Sequence, residues 1–335
     1  MDILFDQGKF PYGGVGRGPG PGLALPSGVS YSQVMDIKSK GEYALFRLAL
    51  TCLRPMPYRL SRGLMCRCAH LAGPRLGIRR EVVSAQLKMV FPDRPTAELA
   101  RLAGKVYDHL GLTTAEVLCA EPEALFRSVN VAPGWEVLDR ALDRGRGAIA
   151  ATGHIGNFEL GGRVLARRFP LLDVVKVQRN APFDRFIQDQ RFRFGIRTVP
   201  VDSSGRAVMA HLRKGGLVSL LMDQDAGKIG FQTDFLGLPA STWPGAARIS
   251  IKTGCPVVPV AILRNPDHSH TLHIAEALDP QGLAEREEDI REYTRRISAA
   301  VERFIWDCPE QWFWVHRRWK GAQEARGADE SSKEI

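Results

Sequence analysis

At Gly153-His154-Ile155-Gly156-Asn157-Phe158-Glu159 a histidine stands between two glycines, and a glutamate follows it five positions later. A carboxylate on one imidazole nitrogen fixes the tautomer and makes the other nitrogen basic enough to take a proton from a hydroxyl. Five residues on a continuous helix turn through about 500°, which points the two side chains to different faces. They can meet only if His154 lies on a turn and Glu159 in the first turn of the helix that follows. Gly153 and Gly156 permit that turn, and Asn157 suits its N-cap. No Gly-x-Ser-x-Gly elbow occurs and no cysteine lies near the motif, so the economical chemistry is direct attack by a substrate hydroxyl. Amides near Gly156 and Asn157 are expected to hold the developing oxyanion. On spacing alone, the competing reading is a histidine that caps a turn beside a surface glutamate.

Further polar residues close other apolar runs. Val177-Gln178-Arg179-Asn180 offers Arg179 to a phosphate or a carbonyl oxygen. Asp202 follows the next run, and Met222-Asp223-Gln224-Asp225 ends the one after it. His154 and Glu159 are thus the catalytic candidates, and Asn157, Arg179, Asp202, Asp223 and Gln224 the substrate-binding ones. Asp223 and Asp225 would suit Mg²⁺, but no further carboxylates group with them, so no metal is expected.

The elements that must position these residues follow from periodicity. Helices are predicted at about 80–90, 96–119, 134–144, 157–168, 183–194, 204–214 and 243–253, and again at Ala284–Trp306. Unbroken apolar runs lie between them: Gly147–Thr152, Leu172–Val177, Ile196–Val201, Leu217–Met222, Pro256–Leu263 and Thr271–Ala275. Alternation of such strands with helices predicts an α/β fold with a mainly parallel central sheet covered on both faces. Chemistry in such sheets sits at the carboxyl ends of the strands.

The chain has 335 residues, 44% hydrophobic and 25% charged, which excludes a wholly disordered, collagen-like or coiled-coil protein. Its formal charge of +9 is concentrated. Eight arginines (47, 54, 59, 62, 67, 75, 79 and 80) lie between Tyr43 and Arg80, with no Lys, Asp or Glu among them. Apolar Leu45, Phe46, Leu48, Cys52 and Leu53, and after Pro57 Leu60, Leu64, Cys68 and Leu71, recur at helical spacing. Two amphipathic helices with a basic polar side are predicted, suited to an anionic membrane surface. Their competing reading is two surface helices with solvated arginines. Nucleic acid is not expected as a partner, because no reading element accompanies the charge.

Residues 1–40 are Gly/Pro-rich and read as a flexible tail, 41–80 as the membrane-contact helices, 81–325 as the catalytic domain and 326–335 as a second tail. The six cysteines form no Cys-x-x-Cys pair and read as reduced thiols. No signal peptide and no apolar run of about 20 residues is evident. The run Trp312-Phe313-Trp314-Val315-His316-Arg317-Arg318-Trp319-Lys320 suits either a lipid headgroup interface or packing beneath a C-terminal helix.

Taken together, Gly153-His154-x4-Glu159-Leu160, Gln178-Arg179-Asn180, Met222-Asp223-Gln224-Asp225 with Phe235-Leu236-Gly237-x-Pro239-Ala240, and Pro309-Glu310-Gln311 running to His316-Arg317-Arg318 resemble the bacterial lipid A late acyltransferases. This is the lauroyl/myristoyl acyltransferase family of the lysophospholipid acyltransferase superfamily, and the resemblance spans about 42–320. It implies a glycerolipid-acyltransferase-like α/β fold on the cytoplasmic face of the bacterial inner membrane. It implies transfer of a fatty acyl chain from acyl carrier protein to a hydroxyl of a glycolipid acceptor, without an acyl-enzyme. His154 would be the base, Glu159 its orienting partner, and Arg179 a contact to substrate phosphate or to the tetrahedral centre; Asp202 matches a family aspartate. No cofactor is implied beyond the 4'-phosphopantetheine that arrives on the carrier protein. Arg and Pro interrupt the usual hydrophobic anchor, so membrane contact should be shallow. Family branches acylate mannosylated phosphoinositides and other lipids, which leaves the acceptor open, and a thioester hydrolase would use the same pair on water.

Overall fold

The computed structural model describes residues 37–320; the tail expected at 1–40 lies outside them up to residue 36, and the tail expected at 326–335 lies outside them entirely. The described chain begins with the helices α1 (Ile37–Leu53), α2 (Tyr58–His70), α3 (Arg80–Val90) and α4 (Thr96–Cys119). α5 (Pro122–Arg127), β1 (Val129–Val131), α6 (Trp135–Asp143), β2 (Ala148–Thr152) and α7 (Phe158–Arg168) follow. Next come β3 (Leu171–Val175), α8 (Ala181–Arg193), β4 (Ile196–Pro200), α9 (Ser204–Arg213) and β5 (Leu217–Leu221). The chain continues through β6 (Phe231–Phe235), β7 (Leu238–Thr242), α10 (Gly245–Thr253), β8 (Val257–Arg264), β9 (His270–Ile274) and α11 (Glu287–Asp307).

Seven strands form one sheet in the order β1-β9-β8-β2-β5-β3-β4. Every pairing is parallel except β8 with β9. The central strand β2 shows why both faces are covered: Ala148, Ile149, Ala150 and Ala151 are all fully buried. Successive side chains of a strand point to opposite faces. Accordingly Ala148 and Ala150 pack with residues of α6 and α7, whereas Ile149 and Ala151 pack with α9, α10 and α11.

Four of these elements, β1, α5, β6 and β7, were not evident in the sequence. β1 and α5 are too short to show a period. β6 and β7 form a separate antiparallel hairpin turned at Leu236-Gly237, both with positive φ (50° and 76°). In addition, α1 begins at Ile37, so residues 37–40 form its first turn rather than the end of the tail.

The C-terminal aromatic run packs internally. Trp312, Trp314 and Trp319 are buried with Phe235 of the hairpin and with residues of α3 and α4. Arg318 is buried as well, donating to the Ser241 carbonyl and, at 2.6 Å, to Thr242 Oγ1. The packing alternative therefore replaces the lipid-interface one. α2 lies against α4 so closely that a Cβ on Gly111 would stand 2.7 Å from Cys66 Cα. The outer sides of α1 and α2 leave Leu45, Leu48, Leu60 and Leu64 exposed among the arginines. No helix among the described residues is long and apolar enough to cross a membrane.

Candidate active site

Strand order brings the chemistry together. β2 and β5 are parallel neighbours whose register pairs Thr152 with Leu221. Two residues beyond that pair on each chain stand His154 and Asp223. Asp223 Oδ1 accepts from His154 Nδ1 at 2.8 Å, and Oδ2 accepts from the His154 backbone N–H and the Trp312 indole N–H, each at 2.7 Å. A carboxylate on Nδ1 fixes the proton there and leaves Nε2 as the acceptor. The Gln224 amide nitrogen lies 3.3 Å from that Nε2. Burial alone would raise the Asp223 carboxyl, but His154 and the N–H donors win and hold it at about 2.

Glu159 is not the partner of His154. It lies in the first turn of α7, as expected, but both its oxygens are taken by Arg191 of α8, at 2.5 Å (Nη2 to Oε1) and 3.2 Å (Nε to Oε2). The guanidinium fork satisfies the carboxylate in two places at once. The carboxylate on His154 Nδ1 is therefore that of Asp223, a substrate-binding candidate in the sequence, and not that of Glu159.

The turn that carries His154 is fixed on every side. Phe313 N–H donates to the His154 carbonyl at 3.0 Å, and Gly156 N–H to the Gln311 carbonyl at 2.9 Å. This engagement removes the Gly156 amide from the expected oxyanion donors. Gly156 has φ +59°, and a Cβ there would fall 1.7 Å from the Ile262 carbonyl oxygen, so only glycine is accommodated. Asn157 caps α7 by accepting from Leu160 N–H at 3.0 Å, while its Nδ2 donates to Glu116 at 2.8 Å. Fully buried and with both ends occupied, Asn157 supports the turn and does not face substrate.

Glu116, Arg264 and His270 form a buried charged group behind the cap. Arg264 pairs with Glu116, and His270 Nε2 lies 3.2 Å from the same carboxylate. Burial would raise the Glu116 carboxyl, yet these partners hold it at about 2. His109 Nε2 lies 3.2 Å from the Gly156 carbonyl, and burial pushes this histidine down to about 3, so it is neutral. None of these residues was singled out from sequence. A glutamate among Ala115, Val117 and Leu118 in a long helix was the available signal for Glu116.

A cavity of about 220 Å³ opens at His154. Its walls are mainly apolar: Leu110, Val117 and Leu118 of α4, Phe158 of α7, Phe183 and Ile187 of α8, and Phe313. His154 and Glu159 both line it. Arg179 is exposed in the loop after β3, and Asp202 is exposed in a short turn after β4; neither lines the cavity. Asn180, next to Arg179, caps α8 and reaches the Ser39 carbonyl of α1 at 3.1 Å. Phe46 of α1 packs edge-on against Phe183 and Phe186, each at 5.2 Å, so α1 is attached to the helix that walls the cavity.

Known proteins are similar to this chain, two of them over most of its length. The lipid A biosynthesis palmitoleoyltransferase of Escherichia coli (strain K12) is 26% identical over 270 residues, covering 79% of this chain and 86% of the relative. The lipid A biosynthesis lauroyltransferase of the same organism is 24% identical over 273 residues, covering 80% and 88%. A phosphatidylinositol mannoside acyltransferase of Mycobacterium tuberculosis (strain CDC 1551 / Oshkosh) is 30% identical over 136 residues, covering 39% and 43%. Residues 36–321 match the family described as bacterial lipid A biosynthesis acyltransferase, which takes in the sheet, the His154–Asp223 pair and the cavity. By that match this mainly parallel α/β chain is an acyltransferase and belongs to the bacterial lipid A biosynthesis acyltransferase family.

Proposed function

We propose that the protein transfers a fatty acyl chain from the thioester of acyl carrier protein to a hydroxyl of a lipid A precursor or similar glycolipid, with His154 as general base. The observation that carries this reading is His154, its Nδ1 bound by Asp223, in the wall of a mainly apolar cavity. His154 Nε2 takes the proton of the acceptor hydroxyl as its oxygen attacks the thioester carbonyl. The C–O bond forms, the C–S bond breaks, and the proton passes to the departing phosphopantetheine thiolate. Asp223 stabilises the imidazolium in between, and the Gln224 amide supplies a donor for the oxyanion. The acyl chain lies along the cavity wall of α4 and α8. Arg179, exposed beside the start of α8, meets acceptor phosphate.

The exposed leucines of α1 and α2, set among arginines, support shallow binding to an anionic bilayer at its cytoplasmic face. The same basic surface attracts the acidic carrier protein and mainly raises its encounter rate. Mass analysis of an incubation with acyl carrier proteins of defined chain length, a lipid A precursor and, separately, a mannosylated phosphoinositide tests the reading. An ester on the lipid A precursor is expected, with no acyl-protein. Thioester loss without any ester would make the protein a hydrolase; ester on the mannoside alone would change the acceptor.

A further inference from the structure

Trp312 is buried in the C-terminal aromatic cluster, its ring 4.7 Å from that of Trp314 and 5.6 Å from that of Phe235. Packing accounts for the ring but not for the destination of its N–H. Trp314, in the same cluster, sends its indole N–H to the Pro309 carbonyl at 2.6 Å. Trp312 instead donates to Asp223 Oδ2 at 2.7 Å. The other oxygen of that carboxylate is left to His154 Nδ1.

We propose that Trp312 is a positioning residue for acyl transfer: its indole N–H pins Asp223 so that Oδ1 faces His154 Nδ1, and it draws off part of the carboxylate charge. The inference rests on the reading of His154 as the base. Beside the His154 backbone N–H, which reaches the same Oδ2 at 2.7 Å, a side chain almost 90 residues away in sequence thus helps set both the direction and the charge of the carboxylate behind the imidazole.

The sign of the effect follows from charge. Without the N–H, Asp223 keeps more negative charge beside the ring, and imidazolium is favoured. Other charged or titratable groups near the pair come from several elements. His316 receives the Asp225 N–H at 3.2 Å, and burial pushes it below the ordinary histidine value. Arg318 is tied to β7, Glu159 is paired with Arg191 of α8, and His109 of α4 is neutral. None of these is bonded to the Trp312 indole, so its replacement changes Asp223 first.

The test is the pH profile of kcat/KM for acyl transfer in four proteins: wild type, Trp312→Phe, Trp314→Phe, and a protein with benzothienylalanine at position 312. That last side chain keeps the shape of indole and has sulfur in place of N–H, so it preserves packing where phenylalanine leaves a void. Both replacements at 312 are expected to move the acid limb to higher pH by about half a unit to one unit. Activity above the limb should recover to within a few-fold of wild type. Trp314→Phe should leave the limb in place. A limb unmoved by benzothienylalanine, with activity scaled equally at every pH, overturns the proposal and makes Trp312 a packing residue only. His154→Ala separates the two ideas: turnover in that variant would remove the base itself, whereas an inactive His154→Ala with an unmoved limb removes only the role of Trp312.

Discussion

Asp223→Asn tests the pairing at the site with little change of volume. The Oδ2 side of residue 223 faces two donors, the His154 backbone N–H and the Trp312 indole, both at 2.7 Å. An asparagine must turn its only oxygen towards those two, which points its NH2 at His154 Nδ1. Two N–H groups cannot face each other, so the ring proton moves to Nε2, the atom that has to accept a proton from the acceptor alcohol. A base held in the wrong tautomer costs about 10⁴-fold in rate, or about 5 kcal/mol of transition-state stabilisation. Glu159→Gln leaves the His154–Asp223 bond intact and takes only the counter-charge from beside Arg191, so its loss should stay within about 10²-fold. Single-turnover transfer from acyl carrier protein, with the lipid ester quantified by mass, measures both variants, and thermal melts confirm that both are folded. If Asp223→Asn works within about tenfold of wild type, or Glu159→Gln falls as far as it does, the carboxylate assignment is wrong.

Three other changes have definite expected outcomes. Gly156→Ala should lose stability and transfer together, since left-handed backbone alone costs an alanine about 1–2 kcal/mol and the Ile262 carbonyl blocks its Cβ; a melt within a degree of wild type would contradict this. Asp173 of β3 is buried with Oδ1 unpartnered, and burial pushes its carboxyl up to about 7 from an ordinary 3.8. The folded protein therefore keeps a proton that the unfolded chain releases, and stability falls by about 4 kcal/mol as pH rises from about 4 to about 7. Urea unfolding should show this slope in wild type and not in Asp173→Asn; equal slopes would refute it. Binding to anionic vesicles should weaken steeply with added salt, since each arginine near the surface contributes about 1 kcal/mol; salt-independent binding would remove the electrostatic role of α1 and α2.

Much of the scaffold could be read from periodicity. The strand Ala148–Thr152, the helix Thr96–Cys119 and the helix beginning at Phe158 emerge close to their predicted bounds, because long apolar runs and helical stripes are local signals. His154 was legible for the same reason, as a histidine just past a buried strand. Its true partner was not. His154 and Asp223 meet because β5 lies beside β2 in register, and strand order is a property of the whole sheet rather than of any segment. Nearness in sequence favoured Glu159, and that residue turns instead towards Arg191, on a helix that follows a different strand. Trp312 was ambiguous because an aromatic run beside cations suits a lipid interface as well as a core. Only the return of the C-terminal segment to the hairpin and to Asp223 decides it.

Acyl transfer here turns on one proton transfer to His154, tested most directly by the rate of ester formation in a single turnover by His154→Ala. Removing a general base should slow that step by about 10²–10⁴-fold while the protein stays folded and still binds acyl carrier protein. Ester formed at close to the wild-type rate would contradict the assignment of His154 as the base.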